Sequence, residues 1–299
     1  MRTTVTFDVH GTPVEAWAYA PDDASGPVPV VVLGHGLGYV KSAGLDAFAR
    51  RFAEAGYAAL AFDYRSFGGS GGEPRQVLSV KRQLEDWDAA LAFARTLPGV
   101  DPARVVVWGT SFGGGHALTL AHRDDLAAAI AQCPFTDGIA SLRVVPTVTS
   151  LKVTWTAVRD LVARLFRRGP VYVAGSGAAG ATALMTAPDA EPAMRALTTE
   201  APDFENRMAG RAALEVMLYG PGRKVKGIRT PVLAAVCDRD TVAPAPTATR
   251  QLARSSMVEV RHHDVGHFDI YLGEPFEAAV ADYLEFLDRV VPVEPQPAP

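Results

Sequence analysis

The sequence predicts an α/β protein: a mostly parallel central sheet flanked by helices, with a mainly helical cap. Three observations carry this. From Val30 onward, short runs rich in Val, Ala, Ile and Phe alternate with longer stretches of helical periodicity, the rhythm of successive β-α-β units. The rhythm breaks once, between Thr136 and about Lys226, and resumes at Thr230. Between these, the apolar run Val105-Val106-Val107-Trp108 stops abruptly at Gly109-Thr110-Ser111-Phe112-Gly113, whose G-x-S-x-G order suits a tight strand-to-helix turn.

The elements follow in order. Thr4 to Val9 and Val14 to Ala20 alternate apolar and polar residues around Gly11-Thr12-Pro13, an antiparallel hairpin for a sheet edge. Val30 to Leu33 is a buried strand that delivers His35-Gly36-Leu37-Gly38 at its carboxyl end, where ligands of open α/β sheets gather. A helix with Leu45, Phe48, Ala49 and Phe52 on one face ends at Gly56, and Tyr57 to Phe62 is the next strand. Asp63 to Pro74 is rich in glycine but lacks the lysine and following helix of a phosphate cradle, so it is a structural loop. Val80 to Leu97 is an amphipathic helix, the Val105 strand and its helix follow, and Leu126 to Cys133 is a further strand. After the break come strand Val232 to Cys237, helix Ala245 to Arg254, strand Met257 to His262 and helix Pro275 to Val290. The expected division is a core of residues 1–135 and 227–291, a helical cap of 136–226 and a disordered tail of 292–299 carrying four prolines. Within the cap, Val153 to Phe166 and Asn206 to Met217 read as helical and no strand pattern stands out; Trp155, Val158, Leu161 and Phe166 are expected to face the sheet or line a pocket.

With 299 residues, 48% of them apolar, the chain holds a core that needs no staples. Two cysteines, Cys133 and Cys237, both end strand-like runs and read as buried thiols. The net charge of −4 comes from interspersed signs, which excludes a basic face for nucleic acid or acidic lipid. No run of about 18 apolar residues or signal region is present, so a cytoplasmic location is expected. The partner expected is a small molecule, with no nucleic acid and no membrane, and a homodimer left open.

A serine hydroxyl is a weak nucleophile near neutral pH and needs a base, itself oriented by a third group. For Ser111 the base is His267, on Val265-Gly266-His267-Phe268 after the last strand; Asp238 and Asp240 both lie just beyond the preceding strand. The N–H groups of Leu37 and Phe112 are placed to stabilise an oxyanion. His262-His263-Asp264 with His267 lacks helical metal-ligand spacing, so no metal is expected. His35 reads as a loop-fixing residue, and His116 and His122 as packed or surface residues on the helix after Ser111.

With these residues the chain resembles the α/β-hydrolase superfamily. His35-Gly36-Leu37-Gly38, Gly109 to Gly113, Asp240 shortly before Pro244, and Gly266-His267-Phe268 fall in that family's order, and the register makes Asp240 rather than Asp238 the triad acid. Lys41, Phe62 to Gly68 and Gly72 to Gln76 are similar to the branch related to dienelactone hydrolases and X-prolyl peptidases, which includes esterases and polyketide thiohydrolases or acyltransferases. The resemblance implies a cofactor-free acyl-enzyme mechanism on small, moderately apolar esters or thioesters, with the acyltransferase, the peptidase and a non-catalytic binding protein as alternatives.

Overall fold

Val30, Val31, Val32 and Leu33 are fully buried, as a strand covered on both faces requires. They belong to an eight-stranded sheet in a computed structural model that describes residues 2–22 and 26–293. The expected disordered tail, 292–299, lies outside the described residues from position 294 on.

In chain order, β1 (Arg2–Val9) and β2 (Thr12–Tyr19) form the edge hairpin, followed by β3 (Val28–Gly34), α1 (Leu45–Glu54), β4 (Ala58–Phe62), α2 (Val80–Ala94), β5 (Val100–Thr110), α3 (Phe112–Leu120) and β6 (Ala128–Gln132). The insertion holds α4 (Gly138–Arg143), α5 (Thr147–Leu165), β7 (Tyr172–Ser176), β8 (Ala183–Met185), α6 (Ala190–Leu197), β9 (Met208–Ala209) and α7 (Ala212–Leu218). The core closes with β10 (Val232–Cys237), α8 (Ala245–Leu252), β11 (Val258–His263) and α9 (Gly273–Val290).

Strand order is β1-β2-β4-β3-β5-β6-β10-β11. Only β1 pairs antiparallel with β2 and β2 with β4; the remaining neighbours run parallel, so their carboxyl ends share one rim. Large aromatics fill both faces. Trp108 packs 4.7 Å from Phe48 on one side, and on the other the Trp87 ring lies so near Gly34 that a Cβ there would fall 2.3 Å from it. Losing a fully buried Trp of this kind costs about 3–5 kcal/mol.

The cap departs from the sequence expectation in two ways. It contains a small three-stranded sheet, ordered β8-β7-β9, whose strands of three, five and two residues are too short to show a period. And Trp155, Val158, Leu161 and Phe166 neither face the sheet nor line a pocket; all four are exposed. The buried face of α5 is instead Thr149, Val153, Thr156, Ala157 and Asp160. Periodicity correctly groups residues on one face but does not say which face meets the protein. Asp160 explains the choice here: its carboxylate accepts from the N–H groups of Val171 and Arg211, which ties that side inward.

Candidate active site

Ser111 sits between β5 and α3 with φ 55° and ψ −116°, a left-handed conformation that costs a side-chain-bearing residue about 1–3 kcal/mol. Its surroundings fix it. Its N–H donates to Gln132 O (2.9 Å) and its carbonyl accepts from Phe135 N–H (2.8 Å) and Gly115 N–H (3.1 Å). The flanking glycines are dictated by close approach: a Cβ on Gly109 would lie 2.0 Å from Gly113 O, and one on Gly113 would lie 2.5 Å from His35 O. A side chain at either position would push the turn away from the sheet.

The turn raises Ser111 Oγ to within 3.0 Å of His267 Nε2, and His267 Nδ1 lies 2.6 Å from Asp240 Oδ2. The other Asp240 oxygen accepts from the N–H groups of Val242 (2.8 Å) and Ala243 (2.6 Å), which aims the carboxylate. Both side chains are almost fully buried. Burial by itself would lower the His267 pKa, but the Asp240 carboxylate, charge against charge and as a hydrogen-bond partner, outweighs it and raises the pKa to about 9. Asp238, the other acid considered, is turned away; its carboxylate meets His262 Nδ1 at 2.6 Å on the exposed side of the sheet edge.

Leu37 belongs to the loop after β3, which presses on Ser111: a Cβ on Gly36 would stand 3.0 Å from Ser111 Cβ. Phe112 is the first residue of α3, so its N–H has no intrahelical acceptor and points, with the positive end of the helix, toward the serine. The loop that carries Leu37 is held at two points. His35 accepts from Gly36 N–H at Nδ1 (2.7 Å) and donates from Nε2 to Ala43 O (2.7 Å), and complete burial lowers its pKa to about 4, so it is neutral and both nitrogens are engaged. Lys41, also buried, donates from Nζ to Asp63 (2.5 Å) and Glu15 (2.8 Å), while its N–H reaches the other Asp63 oxygen (2.6 Å). Asp63 begins the glycine-rich loop and also binds Gly69 N–H, so that loop serves as the anchor. His116 is packed between Gln83 and Tyr219, and burial lowers its pKa to about 3.

Above Ser111, Leu37 and Phe112 opens a cavity of about 520 Å³, roofed by the cap through Leu142, Val153, Ala157, Leu184, Leu214 and Met217. None of its lining residues is charged. A second hollow of about 10 Å³ also reaches Ser111, against His35, His267 and Tyr271. Sequence reasoning missed Tyr271. Its hydroxyl meets Thr110, the residue before Ser111, and Gln132 and Tyr283 continue the buried chain of hydrogen bonds. Only the contact across 161 residues reveals it, and no local pattern could. Cys133 and Cys237 are buried and unbridged, and among the described residues no cluster of His, Cys, Asp and Glu could hold a metal ion.

A family model described as serine aminopeptidase, S33 (Hydrolase_4) matches residues 25–265. The quorum-quenching protein AidA of Acinetobacter baumannii is 46% identical over 291 residues, 97% of this chain and 95% of that protein. A thiohydrolase of Eupenicillium brefeldianum is 28% identical, covering 92% and 90% of the two chains. Among solved structures, the α/β hydrolase GrgF of a Penicillium species superposes with a TM-score of 0.80 over 97% of this chain and 99% of that one, at 24% identity. That last likeness is one of fold.

Proposed function

The chain belongs to the α/β-hydrolase family described as serine aminopeptidase, S33, and from that premise we propose that it is a serine hydrolase cleaving carboxylic esters or thioesters of small, moderately apolar acids. The observation that carries this reading is the hydrogen-bonded line Ser111–His267–Asp240 opening onto an uncharged, largely apolar cavity. Neutral His267 takes the Ser111 proton at Nε2 as Oγ attacks the acyl carbon. The carbonyl oxygen gains charge in the N–H pair of Leu37 and Phe112, where each donor is worth about 3–4 kcal/mol of barrier. The leaving alcohol or thiol takes the proton back from His267, and a water deprotonated by the same nitrogen releases the acid from Ser111. Asp240 keeps the imidazole in the tautomer that leaves Nε2 free.

An aminopeptidase, despite the family's description, would need a carboxylate for the substrate's ammonium group. No acidic residue lines the cavity above Ser111, and three of the cap's carboxylates are engaged elsewhere: Asp189 accepts from Thr241, Glu191 pairs with Arg195, and Glu205 with Arg207. The thiohydrolase relative favours including thioesters. The 46%-identical relative has quorum quenching in its name, which for this chain would mean opening an acylated lactone, a cyclic ester within the same substrate class.

The test is hydrolysis of p-nitrophenyl esters from acetate to decanoate, a fatty-acylated lactone and an acyl thioester, each with Ser111→Ala in parallel. Turnover that the variant loses supports the reading, with the best chain length measuring the cavity. Acyl transfer to an added alcohol or amine in place of hydrolysis would identify an acyltransferase using the same three residues. Inertness of the folded protein toward every donor would refute both.

A further inference from the structure

The exposed face of α5 repeats with a spacing that matches another helix. Val148, Leu151, Trp155, Val158, Val162 and Leu165 are separated by three, four, three, four and three residues, the seam of a two-helix coiled coil, and every one of them is exposed, Trp155 at 64% and Leu165 at 78%. Leu161 and Phe166 flank the seam and are exposed as well. Together these eight side chains leave on the order of 800 Å² of apolar surface, what each partner contributes to a standard stable interface and more than the largest patch of a typical monomer.

We propose that this face is the interface of a homodimer, in which α5 of one copy packs antiparallel against α5 of a second about a two-fold axis. The spacing is self-complementary in that direction. With the axis between Trp155 and Val158, each of these meets the other in the second copy, Leu151 meets Val162, and Val148 meets Leu165. Charge selects the same direction. Arg164, Arg167 and Arg168 crowd the carboxyl end of the helix, and a parallel pair would bring all three against their copies. The antiparallel pair separates the two clusters by about the helix length, roughly 28 Å for 19 residues, and opposes the helix dipoles favourably. The flanking Lys152 and Arg159 also suit an acidic bilayer, but the chain as a whole carries −4, which works against such a surface.

The dimer has a consequence for the cavity, because the inner face of the same helix supplies Ser150, Val153, Thr154 and Ala157 to its wall. A second copy bearing on the outer face clamps that wall. The inference rests on exposure, spacing and charge and stands whether or not the hydrolase reading does.

Sedimentation of the full chain over a hundredfold range of micromolar concentrations tests it. The expected species has twice the 31.7 kDa of the chain, and Trp155→Glu, which touches neither the triad nor the cavity lining, halves that mass while keeping the parent's thermal melt. A Leu151→Cys/Val162→Cys variant should form a covalent dimer on mild oxidation, which decides the matter if Trp155→Glu does not fold. A monomer at every concentration, a dimer untouched by Trp155→Glu, no cross-linked species, or a monomer that co-sediments with phosphatidylglycerol vesicles would each overturn the proposal.

Discussion

Asp238 and Asp240 lie two residues apart in the chain, yet each carboxylate meets a different histidine. Asp240 faces His267 and Asp238 faces His262, so Asp240→Asn should lower kcat about 10³- to 10⁴-fold, while Asp238→Asn changes it less than about twofold; steady-state ester hydrolysis reads both. The pH profile follows from the same pair. The raised His267 pKa means the proton is held tightly, and only the neutral imidazole acts as base. Activity should therefore climb as pH rises from 6.5 toward about 9 and fall away on the acid side, and a rate that is flat from pH 6 upward would contradict it. Much of this is visible in the residues themselves, since G-x-S-x-G, Asp240 and Gly266-His267 fall in chain order. Spacing left Asp238 and Asp240 level, and only the family register separated them. Tyr271 carries no such mark, because its bond to Thr110 is made by the fold.

The elements that matter most to the site are the strand-to-helix turn and the loop after β3. Gly113→Ala would force a Cβ into the carbonyls of Gly34 and His35, so it should destabilise the fold by about 2–3 kcal/mol, read from the urea midpoint. Lys41→Met would leave Asp63 buried without its cation and should cost about 3–5 kcal/mol in the same experiment. Strands β3, β4 and β6 and the Val105–Trp108 half of β5 were legible because each holds an apolar run bounded by glycine, proline or a polar turn, whereas the first half of β5, with Asp101, Pro102 and Arg104, was not. The cap strands were not, being too short for any period, and the outward stripe of α5 was assigned to the interior because amphipathicity alone does not tell solvent from partner.

At the scale of the whole molecule, the sheet brings the ends of β5, β10 and β11 to one rim and the insertion after β6 roofs it, so the Ser111–His267–Asp240 line and the cavity roof belong to separate parts of the chain. Val153→Trp narrows the cavity from the cap without touching the triad; it should raise KM for the decanoate ester about tenfold and leave acetate within twofold, as a chain-length series would show. The alternation of strand and helix disclosed this architecture, whereas the volume and uncharged lining of the cavity depend on how α4, α5 and α7 settle on the sheet. The central claim is that Ser111 is an activated nucleophile, and intact-mass measurement after a fluorophosphonate tests it most directly. The account predicts a single adduct at neutral to mildly alkaline pH, mapped to Ser111 and absent from Ser111→Ala; a folded protein that stays unlabelled, or that is labelled elsewhere, would contradict it.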